Sequence, residues 1–350
     1  MTIPVTRTTE SHLQEVDWNQ LTFGDHIADH MFSAEFTGEA WGNEKILPFQ
    51  NLSLSPATLA LHYGQSVFEG MKAFRMNDGR INIFRIKKHH ERLSHTLERM
   101  AMPAMPFGLF AESVKQLVAI DNEWVPKTPG TSLYIRPFIF ANEARFGVKV
   151  ADRYLYLIFT GPVASVFMNP LKVKVERTYV RAAKGGTGFA KCAGNYGGAF
   201  YPTRLAKEAG YDQVLWTDAR DHEFIEESGM MNVMFVIDGK LVTPALSGSI
   251  LDGITRSSLV AIARDMNLPV EERPISVTEL RSAFENKTIS EAFGAGTAAV
   301  VAPIGTVGID QTDYDLPAYS EDNIMFRLRN QLDLIRTGVA EDVHGWNTIV

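Results

Sequence analysis

A chain of 350 residues exceeds the size at which one hydrophobic core keeps growing, so two domains with a cofactor-sized cleft between them are expected. Hydrophobic residues at 45% and charged residues at 21% exclude a disordered chain, and a net charge of −7 leaves no basic footprint for nucleic acid or an anionic membrane. One cysteine, Cys192, excludes an internal disulfide; with no long apolar run and no apolar signal core at the N-terminus, the cytoplasm is the expected compartment.

The first strong helical period lies over residues 87–101, where Leu93, Leu97 and Met100 share a face and the repeated histidines and arginines read as a solvated one. Two runs rich in β-branched and aromatic residues follow, one from Ser132 and one from Tyr154, both bounded by Gly or Pro, and both read as strands. A break over Gly161 to Pro170 divides the chain into an N-terminal domain, 1–165, and a C-terminal domain, 166–350, which opens on the alternation of LKVKVERTYVRA. Asp238-Gly239 between two apolar runs is a hairpin signal. A helix over ITRSSLVAIARDM puts Leu259, Ile262, Ala263 and Met266 on one face, with Gly253 just before its start. The fold class is α+β.

The chemistry centres on GFAKCAGNY, Gly188 to Tyr196, where Lys191 stands among Ala190, Ala193 and Gly194. Small neighbours leave room for a planar group, and a primary amine condenses with a carbonyl, which suggests pyridoxal phosphate; the alternative is a surface lysine beside a glycine turn. A nucleoside-triphosphate loop fails on Ala190 and Cys192, which stand where glycine and Ser or Thr are required. The dinucleotide fingerprint from Gly186 and Gly188 meets Lys191 at its third glycine, and a looser one at Gly294, Gly296 and Ala299 lies too near the C-terminus. Ile254 and Thr255 open a helix whose unpaired N–H groups suit a phosphate, Thr297 adds a hydroxyl in a small-residue turn, and Arg85 supplies a cation at a strand end. A pyridoxal ring also needs a carboxylate at its nitrogen, for which Glu226 and Glu227 are both candidates.

These segments, with LTFGDHIADHM, PFQNLSLSPATLALHYGQSVFEGMKAFR, FRIKKHHERL, YIRPFIF, GYDQVLW, EESGMMNVMFV, LDGITRSSL and FGAGTAAVV, resemble the branched-chain amino acid aminotransferases over nearly the whole chain. The resemblance implies the two-domain fold-type IV architecture of pyridoxal-phosphate enzymes, with the cofactor in the cleft between domains. It makes Lys191, in the C-terminal domain, the Schiff-base and proton-shuttling lysine, and Tyr196 the partner of the cofactor's phenolic oxygen. Glu227 becomes the ring-nitrogen partner, preferred to Glu226 because it stands five positions before Asn232. Arg85, the backbone of Ile254 and Thr255, and Thr297 resemble the phosphate holders. Phe23, Tyr63, Phe68, Tyr134, Arg136 and Ala298 resemble the substrate pocket.

The activity so implied is reversible transfer of the amino group between L-leucine, L-isoleucine or L-valine and 2-oxoglutarate. Amino acids and 2-oxo acids are the expected ligands, a second copy of the chain the expected partner, and no metal is expected. A D-amino acid aminotransferase or an aminodeoxychorismate lyase of the same fold shares the lysine and glutamate, and a non-catalytic pyridoxal-phosphate carrier is a third reading. Two positions depart from the family pattern. The phosphate arginine is commonly followed by proline where this chain has Ile86, and the C-x-x-C of some animal relatives is replaced by Ala299 and Ala302, which removes a thiol switch.

Overall fold

The computed structural model describes residues 2–164 and 169–350, and tertiary contacts divide the chain into two units. The first comprises Met1–Ser165, Ala190–Gly194 and Leu334–Val350, and the second Val166–Phe189 and Asn195–Asp333. The boundary expected at 165/166 falls on residues outside the described ones. Two segments depart from that linear division. The short stretch that carries Lys191, assigned from sequence to the C-terminal domain, packs with the first unit, as does the C-terminus. Strand pairing rather than chain position decides this, because Cys192 bridges to Val67 and the N–H of Ala193 donates to the Ser66 carbonyl.

In the first unit, eight strands among the described residues form one sheet. They are β1 (His30–Phe36), β2 (Trp41–Pro48), β3 (Ser66–Phe68), β4 (Met71–Arg75), β5 (Ile81–Phe84), β6 (Ser132–Ala141), β7 (Tyr154–Val163) and a C-terminal strand, Asn347–Ile349. The β6 and β7 spans begin at the residues where β-branched and aromatic side chains begin, and they pair antiparallel from Ser132↔Val163 to Ala141↔Tyr154. A short helix α1 (Leu59–Tyr63) precedes β3, and two longer ones, α2 (Ile86–Arg99) and α3 (Phe107–Ile120), cover one face. The core on that face includes Phe32, Val67, Leu93, Leu97, Phe110, Val114 and Ile135.

The α2 periodicity places Leu93 and Leu97 in the core as expected, yet the expectation of a solvated polar face is corrected. His89 is 2% exposed and Arg92 6%. Both reach a carboxylate, Glu69, that approaches from the sheet, and a paired charge is the form in which a charge survives burial.

In the second unit, the chain supplies β8 (Leu171–Val175), β9 (Gln213–Thr217), β10 (Ile225–Ser228), β11 (Met231–Ile237), β12 (Lys240–Thr243), β13 (Val270–Glu272), β14 (Ile289–Gly296), β15 (Val300–Ile309) and β16 (Thr312–Asp315). The path runs β10-β9-β8-β15-β14-β11-β12-β13, and β10 also pairs β11, which closes six of these strands into a ring. Asp238 and Gly239 turn the β11–β12 hairpin with φ of 50° and 72°, the left-handed pair that a two-residue hairpin needs. The helices are a single turn α4 (Gly194–Gly197), α5 (Phe200–Glu208), α6 (Ile254–Asp265), α7 (Val277–Glu285) and α8 (Ile324–Arg336). Leu259, Ile262 and Ala263 of α6 are buried as the sequence period requires. No helix among the described residues is long and apolar enough to cross a membrane.

Candidate active site

On the first unit, Lys191 is seated by backbone bonds on both sides. Its N–H donates to Thr96 Oγ1 at 3.0 Å, and its carbonyl accepts from the Phe68 N–H at 3.1 Å. Its neighbours Ala190, Ala193 and Gly194 are small, and its Nζ lies 4.7 Å from the centroid of the Phe68 ring. Burial, then the nearby charge of Arg92, pushes the amine down to about 8, with Glu69 and Tyr134 acting the other way. An amine so placed is partly uncharged near neutral pH and is therefore a nucleophile and a base.

Arg85 joins β5 to α2 as the helix N-cap, at φ 55°. A left-handed conformation is uncommon for a side chain larger than asparagine. Here the Arg85 N–H donates to the Trp346 carbonyl at 2.7 Å, and the guanidinium lies 4.7 Å over the Trp346 ring. Ile86, where the family pattern has proline, is the first helical residue; proline is favoured there because that N–H has no intrahelical partner, so isoleucine alters no bond of the helix.

Phe23, Tyr134 and Arg136 line one cavity of about 170 Å³, with Ile27, Phe159 and Val163. The Phe23 and Tyr134 rings meet edge to face at 4.9 Å. Arg136 Nη2 donates to the Tyr134 hydroxyl at 3.2 Å, and its guanidinium stacks 4.7 Å over Phe68. Its Nε is buried with no hydrogen-bond partner among the described residues, so one donor is left for an incoming acceptor. A side chain at Gly70 would collide with the Tyr134 hydroxyl, which explains the glycine after Glu69. Phe68 thus touches both Lys191 and Arg136. Tyr63 does not line this cavity; it is 48% exposed and its hydroxyl donates to the Phe146 carbonyl at 2.8 Å.

On the second unit, Glu227 is buried at 3% exposure. Its carboxylate pairs with Arg181 Nε at 3.0 Å and accepts from the Leu251 N–H at 2.7 Å. Asn232, directly opposite Glu227 in the β10–β11 pair, donates from its side chain to the Leu251 carbonyl at 2.9 Å. Glu227 and Asn232 therefore fix both polar groups of Leu251, two residues before Gly253, the N-cap of α6. Gly253 has no side chain to cap the first turn, and a Cβ there would collide with Asn232. The α6 N-terminus, Ile254 and Thr255, thus follows a residue without a capping side chain, and a helix N-terminus is suited to receive phosphate. Gly294 and Gly296 lie against Met231, and Thr297 and Ala298 form the turn from β14 into β15. Tyr196 lies in α4, which Asn195 ties down by accepting from the Thr187 hydroxyl at 2.7 Å and donating to its carbonyl at 2.8 Å.

Glu226 is also buried. It accepts from the Ser249 hydroxyl, and burial raises its carboxyl above the ordinary range. Glu226 thus meets a hydroxyl, whereas Glu227 faces the Arg181 cation directly. The sequence reading passed over Glu69, His89, Arg92, Thr96 and Arg181. Three of them, His89, Arg92 and Thr96, had a signal: with Arg85 at the same helix start, residues 85, 89, 92 and 96 follow one another at helical spacing.

Each unit carries part of the donor set that pyridoxal phosphate calls for, the first a depressed amine and an arginine at a helix N-cap, the second a buried carboxylate backed by a cation and a helix N-terminus, so the residues present fit that group. The class IV aminotransferase family model matches residues 66–307. Branched-chain-amino-acid transaminase 1 of Bacillus subtilis is 45% identical over 306 residues, 86% of each chain. Branched-chain-amino-acid aminotransferase 2 of the same organism is 42% identical over 98% of this chain and 95% of its own. Among solved structures, the holo-form of the branched-chain amino acid aminotransferase from Thermobaculum terrenum shares the fold, at 23% identity, with a TM-score of 0.75 over 91% of this chain and 97% of that one. A match of this extent in sequence and fold, on residues whose chemistry agrees with it, makes the chain a member of the class IV, pyridoxal-phosphate-dependent branched-chain aminotransferase family.

Proposed function

We propose that this chain transfers the amino group reversibly between L-leucine, L-isoleucine or L-valine and 2-oxoglutarate. The observation that carries the reading is a cavity with aromatic and aliphatic walls, Phe23, Ile27, Tyr134, Phe159 and Val163, into which one arginine, Arg136, brings a cation. Such walls suit a branched aliphatic side chain, and the cation suits the distal carboxylate of glutamate.

Bound pyridoxal phosphate supplies an electron sink that draws electrons from the substrate's α-carbon. Lys191 Nζ, uncharged in about a tenth of molecules at pH 7 by its position near 8, holds the cofactor, takes the α-proton and returns it. A positioned acid–base group of this kind contributes ~10²–10⁴-fold. Glu227, paired with Arg181, holds the proton on the ring nitrogen, and Tyr196 orients the phenolic oxygen. Arg85, the N–H groups of Ile254 and Thr255, and the Thr297 hydroxyl hold the phosphate, while Ala298 borders the substrate.

The assembly proposed is a homodimer in the cytoplasm. Phe146 is 90% exposed and Val148 75%, an apolar loop of the kind a second copy covers, and Tyr63 is bonded to it, which suits a pocket residue contributed across an interface. Light scattering at the mass of one chain would reject the dimer. A screen of L- and D-amino acids with 2-oxoglutarate tests the activity: turnover of the L-branched-chain set is expected, and turnover of D-alanine or release of pyruvate from aminodeoxychorismate alone would replace the proposal by one of the other activities of the fold.

A further inference from the structure

The inner face of α2 carries Arg85 as its N-cap, then His89, Arg92 and Thr96, and the last three are buried. Arg92 Nε donates to Glu69 Oε1 at 2.8 Å and Nη2 to Oε2 at 2.8 Å, a two-pronged pair. His89 Nδ1 lies 2.7 Å from the same Oε2, and the Gly70 N–H donates to it at 3.3 Å. Glu69 is wholly enclosed. It follows Phe68, whose N–H holds the Lys191 carbonyl, while Thr96 on the helix holds the Lys191 N–H. The strand that grips Lys191 from one side and the helix that grips it from the other are therefore joined to each other through Glu69.

A buried ion pair is a weak source of stability, since apolar residues of the same volume pack about as well. Its presence between the two elements that hold the Lys191 backbone calls for another role. We propose that the Glu69–Arg92–His89 cluster is a positioning device that fixes both the place and the charge of the Lys191 amine. The inference rests on the reading of Lys191 as the reacting group.

The charges have definite signs. Burial pushes the His89 ring down, so it is neutral and donates its proton to Glu69. Burial alone would raise Glu69, but the Arg92 charge and its bonds hold the carboxyl well below the usual range. At the amine, after burial itself, Arg92 from α2 and Arg136 from β6 oppose protonation, while Glu69, just beyond β3, and Tyr134 from β6 favour it. Removing Glu69's charge must then weaken the amine's hold on its proton, and neutralising both members of the pair must largely restore it.

The test uses the full chain freed of cofactor. The rate at which acetic anhydride labels Lys191 is followed against pH by peptide mass spectrometry, and folding is checked by circular dichroism. Glu69→Gln is expected to lower the proton affinity of the amine at least about tenfold, which one charge about 12 Å away supplies at an effective dielectric near 20. The double variant Glu69→Gln with Arg92→Gln is expected to return it to within about threefold of the parent, as opposite perturbations of one site do. An unmoved midpoint in folded Glu69→Gln, or equal shifts in the single and double variants, overturns the proposal. Should Glu69→Gln not fold, Arg92→Lys decides. It keeps the charge but loses the two-pronged grip, so the midpoint should hold while pyridoxal phosphate is captured at least about fivefold more slowly; unchanged capture overturns the positioning role. A parent chain in which borohydride fixes pyridoxal phosphate elsewhere than Lys191 refutes the proposed function instead, and so is told apart.

Discussion

Replacing Arg136 with methionine separates recognition of glutamate from recognition of leucine. The guanidinium stacks on Phe68 at 4.7 Å and on Tyr134 at 5.3 Å, and its Nη2 bonds the Tyr134 hydroxyl. The buried Nε without a partner among the described residues is the donor left for a substrate carboxylate. Methionine fills the space of the arginine stem, so the cavity keeps its apolar wall. What disappears is a charge-assisted hydrogen bond, worth roughly 1.5–3 kcal/mol, or about 10- to 150-fold in kcat/KM for glutamate and 2-oxoglutarate. The stacking on the two rings, about 0.5–1 kcal/mol for each, is lost whichever amino acid is bound and cancels in the ratio of the two substrates. Single-turnover half-reactions with leucine and with glutamate measure that ratio. A change of less than about threefold would mean that Arg136 supports the sheet and takes no part in choosing the substrate.

The Lys191 amine, ordinarily at 10.5 and here near 8, is about 300-fold richer in its neutral form at pH 7; capture of cofactor by the cofactor-free chain should therefore fall tenfold for each pH unit below about 8 and level off above it, and a rate still climbing beyond pH 10 would contradict the depressed amine. Glu227→Gln should keep the cofactor yet lose most turnover, because an amide paired with Arg181 cannot favour a protonated ring nitrogen; Glu226→Gln should be mild, since glutamine still accepts from Ser249. The reverse ranking in steady-state assays would move the role to Glu226. Arg85→Ala should weaken cofactor retention on dialysis, and unchanged retention would remove it from the phosphate site. Cys192, 2% exposed and paired through its backbone with Val67, should resist thiol reagents in the native state, so rapid alkylation of the native chain would show that segment opening.

Local sequence determined a good deal. The β6 and β7 strands, the Asp238-Gly239 turn, the α6 start at Ile254 and the apolar face of α2 were legible because each depends on periodicity or turn chemistry within a dozen residues. Lys191 and the two candidate glutamates were also legible, since their chemistry is a property of the side chain. The choice between Glu226 and Glu227 came from resemblance alone. Only the folded chain supplied its reason: Glu227 pairs with the Arg181 guanidinium and the Leu251 N–H, while Glu226 meets the Ser249 hydroxyl. The polar face of α2 was misread as solvated for the same reason. Charge and period say that a helix has two faces, but burial of His89 and Arg92 depends on Glu69, twenty or more residues earlier, arriving opposite them. The membership of Lys191 in the first unit was decided likewise by hydrogen bonds from its segment to Ser66, Phe68 and Thr96, the nearest of them 95 positions away in the chain. Pairings of that span leave no local periodicity to read, so tertiary structure alone sets them.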